Sequence, residues 1–100
     1  MADTAVKTRE IVSVAVKPPS KYKVIVCNDN VTPMEFVIIM LISVFKHTQD
    51  SAIDLTLKIH NEGSAVAGIY SYEIAEQKGI DATVMAREQG HPLVIKVEEV

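Results

Sequence analysis

Two groups of residues in this 100-residue chain have side chains suited to binding or catalysis. The first is Asn28-Asp29-Asn30, a run of amide and carboxylate acceptors placed directly ahead of a helix start. That start carries three signals. Thr32 can serve as N-cap, Pro33 suits the first helical position, and Glu35 follows Thr32 by three residues to close a capping box. Polar groups held on a fixed turn beside an apolar helix would form a small site that reads a charged group joined to an apolar one. The second group is scattered: the histidines His47, His60 and His91, and the single cysteine Cys27.

Most chemistry these residues suggest lacks its other parts. A thiol catalyst built on Cys27 and His60 would need a base-activated thiolate and an oriented imidazole, and no nucleophile signature surrounds Cys27. The expected role of Cys27 is that of a small core residue. The histidine spacing matches no zinc pattern and no cysteine pair accompanies it, so no metal is expected. His47 falls at the end of the first helix, where a partial positive charge is welcome. His60 lies four residues after Thr56, so the two project from one helix face. The four glycines form no phosphate-binding loop, and no paired carboxylates are placed for acid–base work. No catalytic residue and no cofactor is expected.

Composition narrows the partners. Net charge is −3, without a block of like charge, which argues against nucleic acid or an anionic membrane. Hydrophobic residues make up 48%, enough for one packed domain. The longest apolar run, residues 36–42, is far short of the roughly 20 needed to cross a bilayer. One cysteine fits a reducing compartment, no signal peptide is visible, and a cytoplasmic monomer is the simplest expectation.

The elements that must position these groups follow from periodicity. Residues 1–19 read as a flexible N-terminal extension closed by Pro18-Pro19, and residues 20–100 as the core domain. A β-branched run predicts a strand over 22–27, with Val24 and Val26 on one face and Ile25 and Cys27 on the other. A helix follows over 32–46, apolar nearly all round. A second helix spans 48–62, capped by Thr48 and stopped by Gly63. A short strand over 65–70, interrupted by Gly68, leads to a third helix over 71–88 capped by Ser71 and weakened by Gly79. A last strand covers 93–98, with Leu93, Ile95 and Val97 on one face. The order β-α-α-β-α-β predicts an α+β two-layer sandwich, with three mainly antiparallel strands and three helices on one face.

With the elements in place, the residues resemble a known family. The stretch from Lys17-Pro18-Pro19-Ser20 through Asn28-Asp29-Asn30-Val31-Thr32-Pro33-Met34-Glu35-Phe36-Val37, then Ile59-His60, Gly68-Ile69-Tyr70, Glu73-Ile74-Ala75-Glu76, Ala86-Arg87-Glu88 and His91-Pro92-Leu93, closely resembles ClpS. ClpS proteins are adaptors that deliver N-end-rule substrates to the ClpA–ClpP or ClpC–ClpP protease. The resemblance implies a non-catalytic protein that binds the first residue of a polypeptide. It implies Asn28, Asp29 and His60 as partners of the free α-amino group. Val26, Thr32, Met34, Val37, Thr56, Ile59 and Leu93 would wall a pocket for a first side chain such as Leu, Phe, Tyr or Trp. Glu73 and Lys78 would dock on the N-terminal domain of the ClpA or ClpC ATPase, and the extension would engage the unfoldase at hand-off.

Elementary chemistry agrees with that implication. An α-amino group has a reference pKa of about 7.7–8.0, so near neutrality it is mostly a cation in need of acceptors. Asp29 would supply a charged acceptor, Asn28 a neutral one, and neutral His60 a ring nitrogen. A hydrogen bond to a charged group is worth about 1.5–3 kcal/mol, and burying a Leu or Phe side chain about the same. Two such contributions, less the cost of association, suit a specific ligand that can still be released. Two positions depart from the family. Asn30 stands where a second Asp is common, which removes a negative charge and should weaken or slow amine capture. Thr56 stands where many members carry Met; it either deepens the pocket or leaves a gap that neighbours fill. These departures motivate an alternative reading, a regulatory module that binds the Clp ATPase with altered or lost degron specificity.

Overall fold

The structure, a computed structural model, describes residues 20–100. The extension expected over residues 1–19 lies outside them. The chain runs β1 (Lys21–Cys27), α1 (Met34–Ser43), α2 (Gln49–Glu62), β2 (Ser64–Ser71), α3 (Tyr72–Glu88) and β3 (Val94–Glu99). The strands form one sheet in the order β2-β1-β3, antiparallel at both junctions. This is the expected two-layer α+β architecture.

Strand alternation sets the layers. Val24 and Val26 are fully buried on the helical side of β1, and Ile95 and Val97 pack against the same core. Cys27 takes the opposite face with Ile25, where both are only half-buried. It is therefore not the core residue expected of it, because the alternation that buries Val24 and Val26 turns it outward. The interruption expected at Gly68 is a bulge. Val24 pairs with Gly68 while Ile25 pairs with Val66, so Ala67 is the extra residue. The carbonyl this frees on Ala67 lies 2.6 Å from His47 Nε2, and His47 Nδ1 lies 2.9 Å from Ser51 Oγ. His47 thus braces the bulge against α2. The carbonyls at the end of α1 are met instead by Lys46, which donates to Ser43 O at 2.9 Å, and by Lys78, which donates to Val44 O at 2.8 Å.

The helices pack according to their sequence. α1 buries Phe36, Val37, Met40 and Leu41 and leaves Ile39 and Ile42 exposed. α2 starts as expected, with the Thr48 side chain accepting from the Ser51 N–H. It stops as expected at Gly63, whose φ of 94° is the left-handed conformation that glycine adopts without strain. α3 contacts all three strands through the small residues Ala75, Gly79, Ala82 and Ala86. A Cβ on Gly79 would lie 3.1 Å from Val97 Cγ2. Gly79 therefore lets the helix approach the sheet closely, in exchange for the lower helix propensity read from the sequence. Ser71 precedes α3 without a side-chain capping bond.

One expectation fails where it matters for the site. α1 begins at Met34, and Pro33 occupies the cap position with no side-chain bond. The Thr32–Glu35 capping box does not form, because the Thr32 hydroxyl donates to Asp29 Oδ2 at 2.6 Å instead.

Candidate functional site

The corner between β1 and α1 is held by two devices. In the first, the Asn28 N–H donates to Gly63 O at 2.8 Å, one step past the last β1–β2 pair, Cys27 with Ser64. The bond ties the start of the loop to the cap of α2, one turn beyond His60. In the second, the Asp29 carboxylate accepts three hydrogen bonds from its own loop. Oδ1 takes the Val31 N–H at 2.7 Å and the Thr32 N–H at 2.8 Å, and Oδ2 takes the Thr32 hydroxyl. Burial pushes the Asp29 carboxyl up. The Thr32 hydroxyl, the Thr32 and Val31 amides and the nearby His91 outweigh it and hold the group below its ordinary value. Asp29 is thus a stable anion at neutral pH and the clamp that shapes the turn.

These devices enclose a cavity of about 320 Å³ between the 28–33 loop, the start of α1, the second half of α2 and Leu93. Asn28, Asp29, Asn30 and His60 form its polar side. Thr56, Ile59 and His60 reach it from one face of α2, at helical spacings of three and four residues. Its interior is apolar: Val37, Ile59 and Leu93 line it and are 5%, 3% and 1% exposed. Thr56, 2% exposed, also lines it, and its hydroxyl donates to Ala52 O at 2.7 Å. Val31 and Met34, both exposed, stand at the rim.

The structure brings together Asn28, Asp29, His60, Thr32, Met34, Val37, Thr56, Ile59 and Leu93 of the residues singled out in the sequence. Val26 is not in the lining; it is fully buried in the core. Asn30, singled out with the acceptor run but given no contact to the ligand, lines the cavity too, as do Val31 and Pro33, which were not assigned to it. Their place directly between Asp29 and the helix start is the signal that points to them. Glu73 and Lys78 lie elsewhere, on α3. Glu73 is exposed, whereas Lys78 is half-buried, with Nζ bound to Val44 O and 5.4 Å from the centre of the Tyr70 ring. Cys27 does not line the cavity that holds His60.

Chemically the cavity offers acceptors at one side and hydrocarbon within. Among its lining residues Asp29 is the only one with a fixed charge, and there is no lysine or arginine. Such a site suits a small cation attached to an apolar group. Among the described residues no cluster of His, Cys, Asp or Glu could hold a metal, and no helix is long and apolar enough to cross a membrane. A larger groove of about 460 Å³ lies between α3 and β3, lined by Tyr72, Ile80, Val84, Ile95 and Val97 among others. Glu76 is its one ionisable group besides Tyr72, so it lacks the paired polar and apolar character of the corner.

Comparison with known proteins gives the same direction. The model of the family described as ATP-dependent Clp protease adaptor protein ClpS matches residues 17–96. The ATP-dependent Clp protease adapter protein ClpS of Sodalis glossinidius is 48% identical over 90 residues, covering 90% of this chain and 85% of that protein. The protein of the same name from Burkholderia cenocepacia is 45% identical over 83 residues, covering 83% of this chain and 80% of that one. Among solved structures, Agrobacterium tumefaciens ClpS2 bound to L-phenylalaninamide superposes with a TM-score of 0.81 at 37% identity. It covers 83% of this chain and all of that one. Fold, residue order and relatives agree, and the chain belongs to the ClpS family of Clp protease adaptors, which are not themselves proteases.

Proposed function

We propose that this protein reads the first residue of a polypeptide that carries a free α-amino group and a bulky hydrophobic side chain (Leu, Phe, Tyr or Trp), and delivers that polypeptide to a ClpA or ClpC ATPase coupled to ClpP. The observation that supports this reading best is the division of the cavity, with acceptors on one side and buried hydrocarbon within. The ligand of the Agrobacterium relative has the matching chemistry, an amine and an aromatic side chain on one carbon.

In this reading the Asn28 side-chain oxygen and a ring nitrogen of His60 accept from the ammonium. Both side chains belong to exposed residues at the cavity's polar side. Asp29 contributes its charge and the second lone pair of Oδ2, while its other acceptor capacity fixes the turn. Val37, Thr56, Ile59 and Leu93 receive the side chain, with Met34 and Thr32 closing its entrance. Glu73, exposed in the first turn of α3, meets the N-terminal domain of the ATPase. Lys78 supports that surface while holding the end of α1. Residues 1–19 serve as the extension used in hand-off, residues 20–100 as the core domain, and the protein acts as a cytoplasmic monomer.

The reading is tested by comparing peptides that differ only in N-terminal acetylation. It also fixes a pH profile. The ligand's own amine loses its proton above about pH 8. Affinity for a free-amine peptide is therefore expected to fall as pH rises past that value. Isothermal titration from about pH 7 to 9 checks this. In His60→Ala, binding at neutral pH is expected to be weaker, because one acceptor for the ammonium is gone; unchanged affinity in the variant would remove His60 from the role of acceptor.

A further inference from the structure

We propose that Arg87, which does not line the cavity, is a positioning residue that sets the cavity's inner wall by holding Leu93 in place. The inference rests on the reading of the cavity as a pocket for a first side chain. α3 ends at Glu88, and the chain turns through Gly90, whose φ is 76°. The His91 N–H returns to Ala86 O at 2.9 Å. Arg87 Nη1 then donates to His91 O at 2.8 Å and to Leu93 O at 2.9 Å. One guanidinium nitrogen thus spans the carbonyls on either side of Pro92, a residue with no N–H of its own to anchor the segment.

The clamp reaches the cavity because Leu93 is the last residue before β3, is 1% exposed, and forms part of the lining. The same short segment carries His91, whose ring meets Phe36 of α1 edge-on at 4.8 Å. It therefore forms a strut between α3 and α1, with Leu93 at its end. Hydrogen bonds from a charged donor are the stronger kind, and the planar guanidinium fits two acceptors in fixed directions where an ammonium does not. Without it the two carbonyls turn to water and Leu93 loses the restraint that aims its side chain at the ligand.

A merely structural role for this helix-end arginine would lower stability and leave recognition alone. Action through Leu93 makes a different demand: loss of Arg87 should matter only while Leu93 is present. The experiment measures affinity for a fluorescent peptide with a free N-terminal Phe in the unaltered protein, Arg87→Ala, Arg87→Lys, Leu93→Ala and the Arg87→Ala/Leu93→Ala double variant. The Leu93 methyl signals are followed by NMR in the first three. We expect Arg87→Ala to weaken binding about five- to ten-fold, Arg87→Lys by less, and the double variant to bind within about two-fold of Leu93→Ala alone. The Leu93 methyl signals should shift in Arg87→Ala while those of Val24 and Val26 stay. Unaltered affinity with unmoved Leu93 signals would overturn the proposal, as would the full Arg87→Ala loss recurring in the Leu93→Ala background. If Leu93→Ala does not fold, affinity and methyl signals in the Arg87 variants decide. If the unaltered protein fails to bind the peptide, the functional reading falls, and the Leu93 signals alone decide whether Arg87 positions that wall.

Discussion

Replacing Asp29 with alanine is expected to cost this protein most of its ligand affinity and part of its stability. The side chain has two jobs that alanine removes together. Its carboxylate accepts the Val31 and Thr32 amides and the Thr32 hydroxyl, which fixes the turn carrying Asn28 and Asn30. It is also the one fixed charge in the cavity lining, and in this reading the ligand is a cation. Hydrogen bonds to a charged group contribute about 1.5–3 kcal/mol in protected settings and less where water competes, and this residue is only half-buried. A stability loss of about 1–2 kcal/mol and an affinity loss of about 10- to 100-fold are therefore expected, measured by urea denaturation and by titration with a Phe-first peptide.

Asp29→Asn separates the two jobs. It keeps an oxygen for the amides but carries no charge, so its turn should hold better than that of the alanine variant while amine binding still drops. The pH dependence has a definite sign. The folded carboxyl lies below its ordinary value of 3.8, so its stabilising contribution is fully present above that value and is lost as pH falls through the lower folded one. Stability curves of the protein and of Asp29→Ala should therefore run parallel above about pH 5 and converge in acid. Curves that stay parallel into strong acid would show that the contribution of Asp29 does not come from its ionised carboxylate.

The second large effect is expected at Thr56, on the preference among first residues. Thr56 is 2% exposed in the cavity wall, and its hydroxyl is already committed to Ala52 O. It thus occupies little of the cavity and fills its polar requirement within its own helix. Thr56→Met puts a longer, flexible side chain into that space. The space left for a first side chain shrinks, and one branched at Cβ has least freedom to turn away from the methionine. Binding of β-branched Ile- and Val-first peptides should therefore fall most, about ten-fold, while Leu-, Phe-, Tyr- and Trp-first peptides lose less. Thr56→Val keeps the shape and should bind nearly as the unaltered protein does. A panel of free Leu, Phe, Tyr, Trp, Ile and Val peptides measures all of this. An unchanged order of preference in Thr56→Met would mean that the first side chain does not reach this wall.

What the sequence made legible was what short-range physics decides. The alternation of Val24 and Val26 against Ile25 and Cys27, the Thr48 cap, the Gly63 stop and the order of elements all rest on neighbours a few residues apart. What it hid was competition and distance. Thr32 is a good cap in isolation, but Asp29 three residues earlier offers its hydroxyl a charged acceptor, and the cap is lost. Lys78 falls within the third predicted helix, but its bond to Val44 O, 34 residues away in the chain, depends on how α3 packs. Val26 would wall the pocket by family resemblance, yet it is fully buried in the core and absent from the cavity lining.

The site divides in the same way. Thr56, Ile59 and His60 share a face by helical spacing alone. Their meeting with Asn28 depends on the bond from its N–H to Gly63 O, a contact across 35 residues that no local pattern encodes. Resemblance to the ClpS family supplied that link. Arg87 was legible only as a basic residue in a last helical turn, because its two acceptors lie on a loop whose path the helix end alone does not determine.

In this reading the cavity binds an α-ammonium together with the side chain beside it. Titration with two peptides of identical sequence beginning with Phe, one with a free N-terminus and one acetylated, isolates the ammonium. Acetylation removes the charge and two of the donors while leaving the phenyl ring in place. The free peptide is expected to bind and the acetylated one to bind at least about 100-fold more weakly, as the loss of charge-assisted hydrogen bonds requires. Equal affinity for the two would contradict it.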